Sequence, residues 1–305
     1  MIFGEKGFVK NDLYVTGFAW SPAYLVDAHV PVIFESGFHC MGRVYERDIK
    51  AVIQNKRPAY LFITHVHYDH CGATSYLKEA FPGMRIAASQ RAAEIIGRPN
   101  AQALMSSLSK NAYSIISSKD IVDRNMLIED DFQPFNVDII LKDMDVIDIC
   151  NGITVQVFET PGHTRDMLSY YIPEKRILVA TESTGCRSQT GHIITEFLVD
   201  FDKYMESIIR LSQLDIEVLC QGHHFVFTGD DVRRHLEQSL ESAERFRDNV
   251  IGFLKAKGGS IDQVVEIIKA MEYDTNPGPK QPEKAYLINL RTRVAYLAER
   301  LTSGE

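Results

Sequence analysis

Cysteine is sparse and unpatterned. Cys40, Cys71, Cys150, Cys186 and Cys220 form an odd, scattered set of five, with no Cys-x-x-Cys pair. That excludes a disulfide framework and points to a reduced chain. Basic charge is also in deficit: 33 Lys and Arg against 41 Asp and Glu, a net −8, with no obvious basic face. Nucleic acid is therefore not an expected partner. No apolar run approaches the roughly 20 residues that a membrane span requires, so no membrane partner is expected. Met1 leads straight into Ile2-Phe3-Gly4-Glu5-Lys6 without a charged-then-apolar leader, which favours a cytoplasmic location. Internal repeats and low-complexity segments are absent. The 305 residues are 45% hydrophobic, enough for one large domain or one domain with an appendage.

Against this plain background stands His65-Val66-His67-Tyr68-Asp69-His70. It follows the buried-strand pattern Tyr60-Leu61-Phe62-Ile63-Thr64 and opens into Cys71-Gly72-Ala73-Thr74. Four metal-capable side chains fall within six residues. Imidazole and carboxylate donors suit zinc, iron or manganese. A histidine-rich surface loop is the plainer reading, but the apolar strand places the cluster at a strand end, where sites are built. Residues i and i+2 of an extended segment point the same way, so His65 and His67 can share one metal. Asp69 and His70 follow the turn and face a second position. Two metals about 3.5–4 Å apart can share a bridging hydroxide.

Two further strand ends carry histidine. Thr160-Pro161-Gly162-His163-Thr164 follows an apolar strand over 153–158, and His163 is placed to complete the first metal position. Gln221-Gly222-His223-His224 follows another at 216–219. His223 is the expected ligand there, because Gly222 frees the backbone before it. His224 is expected to hold a ligand in place from behind, and Cys71 to do the same or to serve as a soft extra ligand. One histidine alone would be read as an ordinary core or surface group. Three histidine-bearing strand ends reverse that reading.

His65, His67, Asp69, His70, His163 and His223, in that order, resemble the metallo-β-lactamase superfamily. So does Leu141-Lys142-Asp143-Met144-Asp145-Val146-Ile147 leading into Thr160-Pro161-Gly162-His163. The resemblance runs from about residue 13 to about residue 225. It implies an α/β fold, the αββα sandwich, with two divalent metal ions at one edge of the two sheets. Zinc is the first choice, with iron or manganese as alternatives. The family usually has Gly-Asp after the strand that follows the Pro-Gly-His turn, and that aspartate bridges the metals. Here Ile177-Leu178-Val179-Ala180 ends in Thr181-Glu182. Glu182 is expected to ligate, with the bridge shifted by roughly 1.5 Å, one carbon–carbon bond.

Along the chain, residues 14–18, 24–26 and 31–35 read as early antiparallel strands, and 43–55 and 73–81 as helices around the metal strand. A short strand follows at 84–88. Residues 90–135 read as an insertion of two or three helices broken by Ser106, Ser107, Ser109 and Ser117-Ser118, either a substrate wall or plain packing. Asn151-Gly152 signals a tight turn between strands. Residues 168–172 and 176–180 pair, and 202–214 is a helix capped by Asp200 or Asp202. After His224 come a long amphipathic helix at 230–257, a helix at 261–271 capped by Ser260, the loop Asn276-Pro277-Gly278-Pro279-Lys280-Gln281-Pro282 and a last helix at 286–301. The expected division is a catalytic domain over 1–229 and a C-terminal helical extension over 230–305. The tail resembles the appendage of glyoxalase II and of thioesterase-type members of the quinolone-signal-response kind. It is expected to wall the substrate entrance, to form a homodimer surface or to cover a sheet.

The functional expectation is a metallo-hydrolase acting on an activated acyl group, a thioester foremost, through a metal-bridging hydroxide. Asp69 ligates the second metal and orients the hydroxide. The substrate is a small molecule. A lactonase or phosphodiester hydrolase would use the same centre, although no phosphate-cradling glycine-rich turn precedes a helix near it. A metal-bound ligand-sensing protein is the alternative of another class, kept open by Glu182. A redox role of the flavodiiron kind is disfavoured: those proteins carry glutamate where this chain has His67, and no flavin-binding segment is read after the motif.

Overall fold

The computed structural model describes residues 1–119, 121–278 and 280–303. Pro279 of the 276–282 loop lies outside them. The chain divides into two compact units: 1–159, 166–181 and 215–232 form the first, and 160–165, 182–214 and 233–305 the second. No helix among the described residues is long and apolar enough to cross a membrane.

The first unit holds two seven-stranded sheets. In chain order the strands are β1 (Ile2–Phe3), β2 (Gly7–Lys10), β3 (Leu13–Phe18), β4 (Ser21–Val26), β5 (Val32–Phe34), β6 (Tyr60–Phe62), β7 (Arg85–Ser89), β8 (Ile139–Leu141), β9 (Val146–Cys150), β10 (Ile153–Glu159), β11 (Leu168–Ile172) and β12 (Ile177–Val179). The two-residue strands β13 (Cys186–Arg187) and β14 (Ile193–Ile194) belong to the second unit, and β15 (Val218–Cys220) and β16 (Val226–Thr228) return to the first. One sheet runs β2-β3-β4-β5-β6-β7-β8 and the other β1-β16-β15-β12-β11-β10-β9. β5 to β8 are parallel neighbours, as are β12 and β15, while the remaining pairs in these two sheets are antiparallel.

Side-chain alternation builds the layers. In β5 and β6, Val32, Phe34, Tyr60 and Phe62 enter the core between the sheets, where Val155, Val157, Tyr170 and Val179 meet them. Their neighbours Ile33 and Leu61 point to the opposite face. That face is covered by α1 (Gly42–Ile53), α2 (Thr74–Ala80), α3 (Gln90–Ile96) and α4 (Pro99–Ser117), through Val44, Ile49, Leu77, Ala92, Met105 and Ile116 among others. Strands buried on both faces read as unbroken apolar runs, which is why 60–63 shows no alternation.

The insertion holds the expected two helices, α3 and α4, but is not divided where the serines suggested. The serines at 106, 107, 109 and 117 do not break it, because all lie inside the single 19-residue α4. Met105, Ala112 and Ile116 give α4 a buried stripe, and the hydroxyls of Ser117 and Ser118 bond back to Ser114 O and Ile115 O at 3.3 and 2.8 Å. After α4 only one short helical turn, Arg124–Met126, occurs before β8.

The second unit contains the β13–β14 pair, α5 (Phe201–Ser212), α6 (Asp230–Ala256, within this unit from Arg233), α7 (Ile261–Lys269) and α8 (Glu283–Ser303). Asp200 is the cap of α5, its Oδ1 accepting from Lys203 N at 2.9 Å. Ser260 caps α7, and a π-turn over Ala270–Asp274 continues it. The unit's core centres on Phe197, whose ring meets those of Phe201, Tyr204, Phe246 and Tyr296. Arg293 is 1% exposed, donates to Thr195 O at 2.7 Å and stacks on Phe246 at 4.6 Å.

Phe34→Ala should be among the costliest core changes in the first unit. Phe34 is fully buried, stacks on Phe62 at 5.1 Å and packs at a tilt against Tyr170 at 5.6 Å. A loss of about 3–5 kcal/mol is expected, read as a lower urea midpoint at unchanged slope. A loss below about 1 kcal/mol would show that the core between the sheets is not close-packed there.

Candidate metal centre

The segment after β6 forms a closed loop. Ile63 is held on both sides, its N–H donating to Ala87 O at 2.9 Å and its carbonyl accepting from the Tyr170 hydroxyl at 2.7 Å. His65 and His67 then project together, as i and i+2 residues should: His65 Nε2 and His67 Nδ1 are 3.0 Å apart. The chain turns at His67, whose carbonyl accepts from His70 N and Cys71 N, both at 3.0 Å. The turn is tied to the end of β5 through Ser36 N and Gly37 N, which donate to His70 O at 2.7 and 3.2 Å. Gly72 N donates to Gly37 O at 2.8 Å, and a Cβ on Gly72 would lie only 2.6 Å from His39 N. Only glycine allows that approach.

Within the first unit, Asp69, His70 and His223 each offer a ligand atom within 4.8 Å of the others, and so do Glu35, His65 and His70. Each imidazole has one nitrogen already engaged. His70 Nδ1 donates to Glu35 Oε2 at 2.6 Å, His223 Nδ1 donates to Trp20 O at 2.7 Å, and His65 Nδ1 shares a hydrogen bond with the Thr64 hydroxyl at 2.9 Å. In all three that leaves Nε2 as the nitrogen turned to the cluster, and His223 Nε2 is 3.7 Å from Asp69 Oδ2. Imidazoles so fixed are the usual mark of metal ligands.

Glu35 was not foreseen as a site residue. It is 1% exposed, and its other oxygen accepts from Thr64 N at 2.8 Å, so one carboxylate spans the start and end of the loop. The available signal was an acid closing an apolar strand. Asp166 was missed likewise: its Oδ2 accepts from Val66 N at 2.8 Å, in the middle of the motif.

Past β15, Tyr24 donates to Gln221 O at 2.5 Å, and Gln221 Nε2 donates to His223 O. His224 contributes through its backbone, N–H donating to Ala19 O at 2.5 Å, while its ring packs near Phe225. Burial and the adjacent His223 push the His224 pKa down to about 4, so the ring is neutral at ordinary pH. Burial, reinforced by Glu35, Asp166 and Asp69, pushes the Cys71 thiol well above its usual range. Three residues around the centre hold left-handed backbone: Glu35 at φ 64°, Thr181 at 45° and His224 at 66°. The β-branched Thr181 is the most unusual of them.

His163 and Glu182 belong to the second unit. There His163 is 3% exposed and its Nδ1 donates to Glu196 O at 2.5 Å. Gly162 precedes it at φ 134°, and its carbonyl accepts from Leu198 N and Val199 N at 3.1 and 3.0 Å. A Cβ at Gly162 would meet the Tyr204 backbone at 2.5 Å, so the turn requires glycine for contact as well as for φ. Glu182 lies in the single helical turn Thr181–Thr184 and is 2% exposed. Its carbonyl accepts from Gly185 N at 3.0 Å, and Cys186 Sγ donates to its Oε1 at 3.8 Å.

Comparison with known proteins agrees with this layout. The family model described as the metallo-beta-lactamase superfamily matches residues 21–223. Among curated proteins, the anaerobic nitric oxide reductase flavorubredoxin of Aliivibrio salmonicida is 19% identical over 303 residues, 90% of this chain and 54% of that protein. A hydroxyacylglutathione hydrolase of Rhodopseudomonas palustris is 31% identical over 129 residues, 40% and 46% of the two chains. The atrochrysone carboxyl ACP thioesterase of Aspergillus fumigatus is 20% identical over 195 residues, 64% and 47%. The chain thus spans about half the length of these relatives. Among solved structures, an archaeal metallo-beta-lactamase superfamily protein from Sulfolobus tokodaii superposes with a TM-score of 0.56 at 14% identity, covering 98% of both chains. The match over most of the chain and the shared architecture lead to one conclusion: this chain has the αββα fold and is a member of the metallo-beta-lactamase superfamily.

Proposed function

We propose that this protein is a metal-dependent hydrolase of activated acyl compounds, with thioesters as its main substrates. The observation that carries the reading is the set of imidazoles whose Nδ1 atoms are bound to Glu35, Trp20 and Thr64 while their Nε2 atoms face a shared cluster. Two relatives whose names state an acylglutathione hydrolase and an ACP thioesterase supply the substrate class.

The donor set fits divalent metal. It combines neutral imidazole and carboxylate, hard-to-borderline donors that zinc, iron and manganese all accept. In this reading His65, His67 and His163 would hold one ion and Asp69, His70 and His223 the other, with Glu182 as a further carboxylate donor. Two such ions, when bound, supply hydroxide at neutral pH and a Lewis acid for the acyl oxygen. The chain's own residues do the rest. Asp69, partly buried, orients the attacking water and accepts its hydrogen bond. Glu35 keeps His70 in a single tautomer. Water adds to the acyl carbon, the carbon–sulfur bond breaks, and a carboxylate and a thiol leave. Because a thiol ionises near pH 8–9, its thiolate departs without a strong general acid, and none of the assigned residues is needed for that role.

Protein loaded with zinc, iron or manganese should hydrolyse simple acyl thioesters, and His67→Ala should lose most of one metal equivalent by elemental analysis along with turnover. Two tightly bound ions and full activity in that variant would defeat the ligand assignment.

Glu35→Gln should weaken metal binding roughly 10- to 100-fold, since the amide can no longer accept from both Thr64 N and His70 Nδ1 as a carboxylate does. Competition with a chelator measures this, and unaltered affinity would show that Glu35 is only structural.

Glutamate in place of a bridging aspartate reaches further and has one more bond to order, at a cost of about 0.5 kcal/mol or more. Glu182 is therefore expected to bind one ion chiefly, giving uneven affinities. Glu182→Asp should weaken the second site and lower the rate if the position is a tuned bridge, and leave both intact if it has drifted. An alanine variant with two full equivalents and normal turnover would remove Glu182 from the site.

A further inference from the structure

The chain beyond β6 is stitched to the other sheet of the first unit. The Tyr170 hydroxyl donates to Ile63 O at 2.7 Å, Leu168 N donates to Thr64 O at 2.9 Å, and the Thr181 hydroxyl donates to Thr64 Oγ1 at 3.2 Å. The bonds from Tyr170 and Leu168 end on main chain. The bond from Thr181 ends on a side chain, and Thr64 Oγ1 is also the atom that lies 2.9 Å from His65 Nδ1. Thr64, His65 and Thr181 are all 0% exposed. Bulk water therefore cannot replace either hydroxyl, and each depends on the partner the fold supplies.

Threonine is an unfavourable residue for the backbone at 181. Ala180 N still donates to Cys220 O at 3.1 Å, so the chain leaves the end of β12 at Thr181 itself, with φ 45°. Glycine adopts that conformation without strain, whereas a β-branched residue resists it. What threonine has and glycine lacks is a hydroxyl, carried on a side chain whose branching keeps χ1 stiff. The strained position is thus also the one that sends a hydroxyl to Thr64.

We infer that Thr181 is a positioning residue for the metal centre: its hydroxyl locks the Thr64 side chain, and Thr64 in turn fixes the ring of His65 with Nε2 toward the cluster. The inference rests on the metallo-hydrolase reading above. A hydroxyl oxygen offers two lone pairs and one hydrogen. Thr181 fills one lone pair of Thr64 Oγ1, and rotating Thr64 about χ1 would break both this bond and the contact with Nδ1. His65 is then oriented by neutral hydroxyls alone, whereas His70 is oriented by the carboxylate of Glu35.

The test follows the hydroxyl separately from the backbone and the side-chain volume. Thr181→Val keeps the branching, Thr181→Gly relieves the backbone, and both remove the hydroxyl, while Thr181→Ser retains it. Zinc affinity is measured by competition with a chelator, and the Nδ1 nitrogen shift of His65 is read by NMR on full-length protein stripped of metal. Valine and glycine should each weaken one zinc equivalent by about tenfold and move the Nδ1 shift. Serine should leave both as in wild type. Thr64→Val should weaken the same equivalent, and adding Thr181→Gly to it should weaken it little further, because both act through one contact. Wild-type affinity in the valine and glycine variants, a serine variant as weak as glycine, additive losses in the double variant, or an unmoved Nδ1 shift overturns the inference. A wild type that binds no zinc, with an Nδ1 shift that still follows the hydroxyl, overturns the metallo-hydrolase reading and keeps the positioning of His65.

Discussion

The carboxylate of Glu35 is the contact on which the centre depends. It is almost fully buried, and a buried charge persists only when its lone pairs are taken up. Here one oxygen accepts from Thr64 N, just before the histidine run, and the other from His70 Nδ1 at its end. The backbone repeats the connection: Glu35 N donates to Phe62 O, and Ser36 N donates to His70 O. Glu35 ties the two ends of that loop together from behind, while leaving the Nε2 side of His70 to face the cluster. Its left-handed backbone, at φ 64°, is the local strain that brings the side chain round to this position.

Strand direction explains why the donors gather at one edge of the first unit. β5 and β6 run parallel, and so do β12 and β15. Parallel strands deliver their following residues to the same end, where side chains are no longer committed to the sheet. Glu35, His65, Thr181 and His223 all follow the carboxyl end of such a strand. Left-handed backbone recurs at Glu35, Thr181 and His224, each just past the ladder, where the chain must turn away sharply to present a side chain. The fully buried, two-faced strands behind them provide the rigidity that sustains such conformations.

The features legible in the sequence were those with length or repetition behind them. Alternating and unbroken apolar runs located β3, β4, β5, β6 and β10, Asn151-Gly152 located the β9–β10 turn, and spaced apolar positions located α1 and α6. The motif histidines were legible because several metal-capable residues rarely fall so close together by chance. The strands β1, β2, β13, β14 and β16 were not, since each has two to four residues and a period cannot be established over so short a run, whereas β5 and β6, equally short, were legible as parts of longer apolar stretches. Serine misled in α4, where its hydroxyls bond back along the helix and a buried apolar stripe sustains it. Glu35 and Asp166 escaped notice for a related reason. A lone acid after a strand looks solvated until the structure shows what donates to it.

The β3–β4 turn shows how such a centre divides its tasks. Backbone carbonyls of Ala19 and Trp20 hold the His223–His224 pair, and a backbone carbonyl is present whatever side chain stands there. Side chains at the same positions are then released from the duty of placing donors. They can change shape and polarity without disturbing the imidazole that depends on the carbonyl beside them. Where a ligand is instead oriented by a side chain, as His70 is by Glu35, substitution of that residue reaches the metal directly. A fold that fixes one side of its centre by side-chain charge and another by peptide groups is constrained at the first and open to variation at the second.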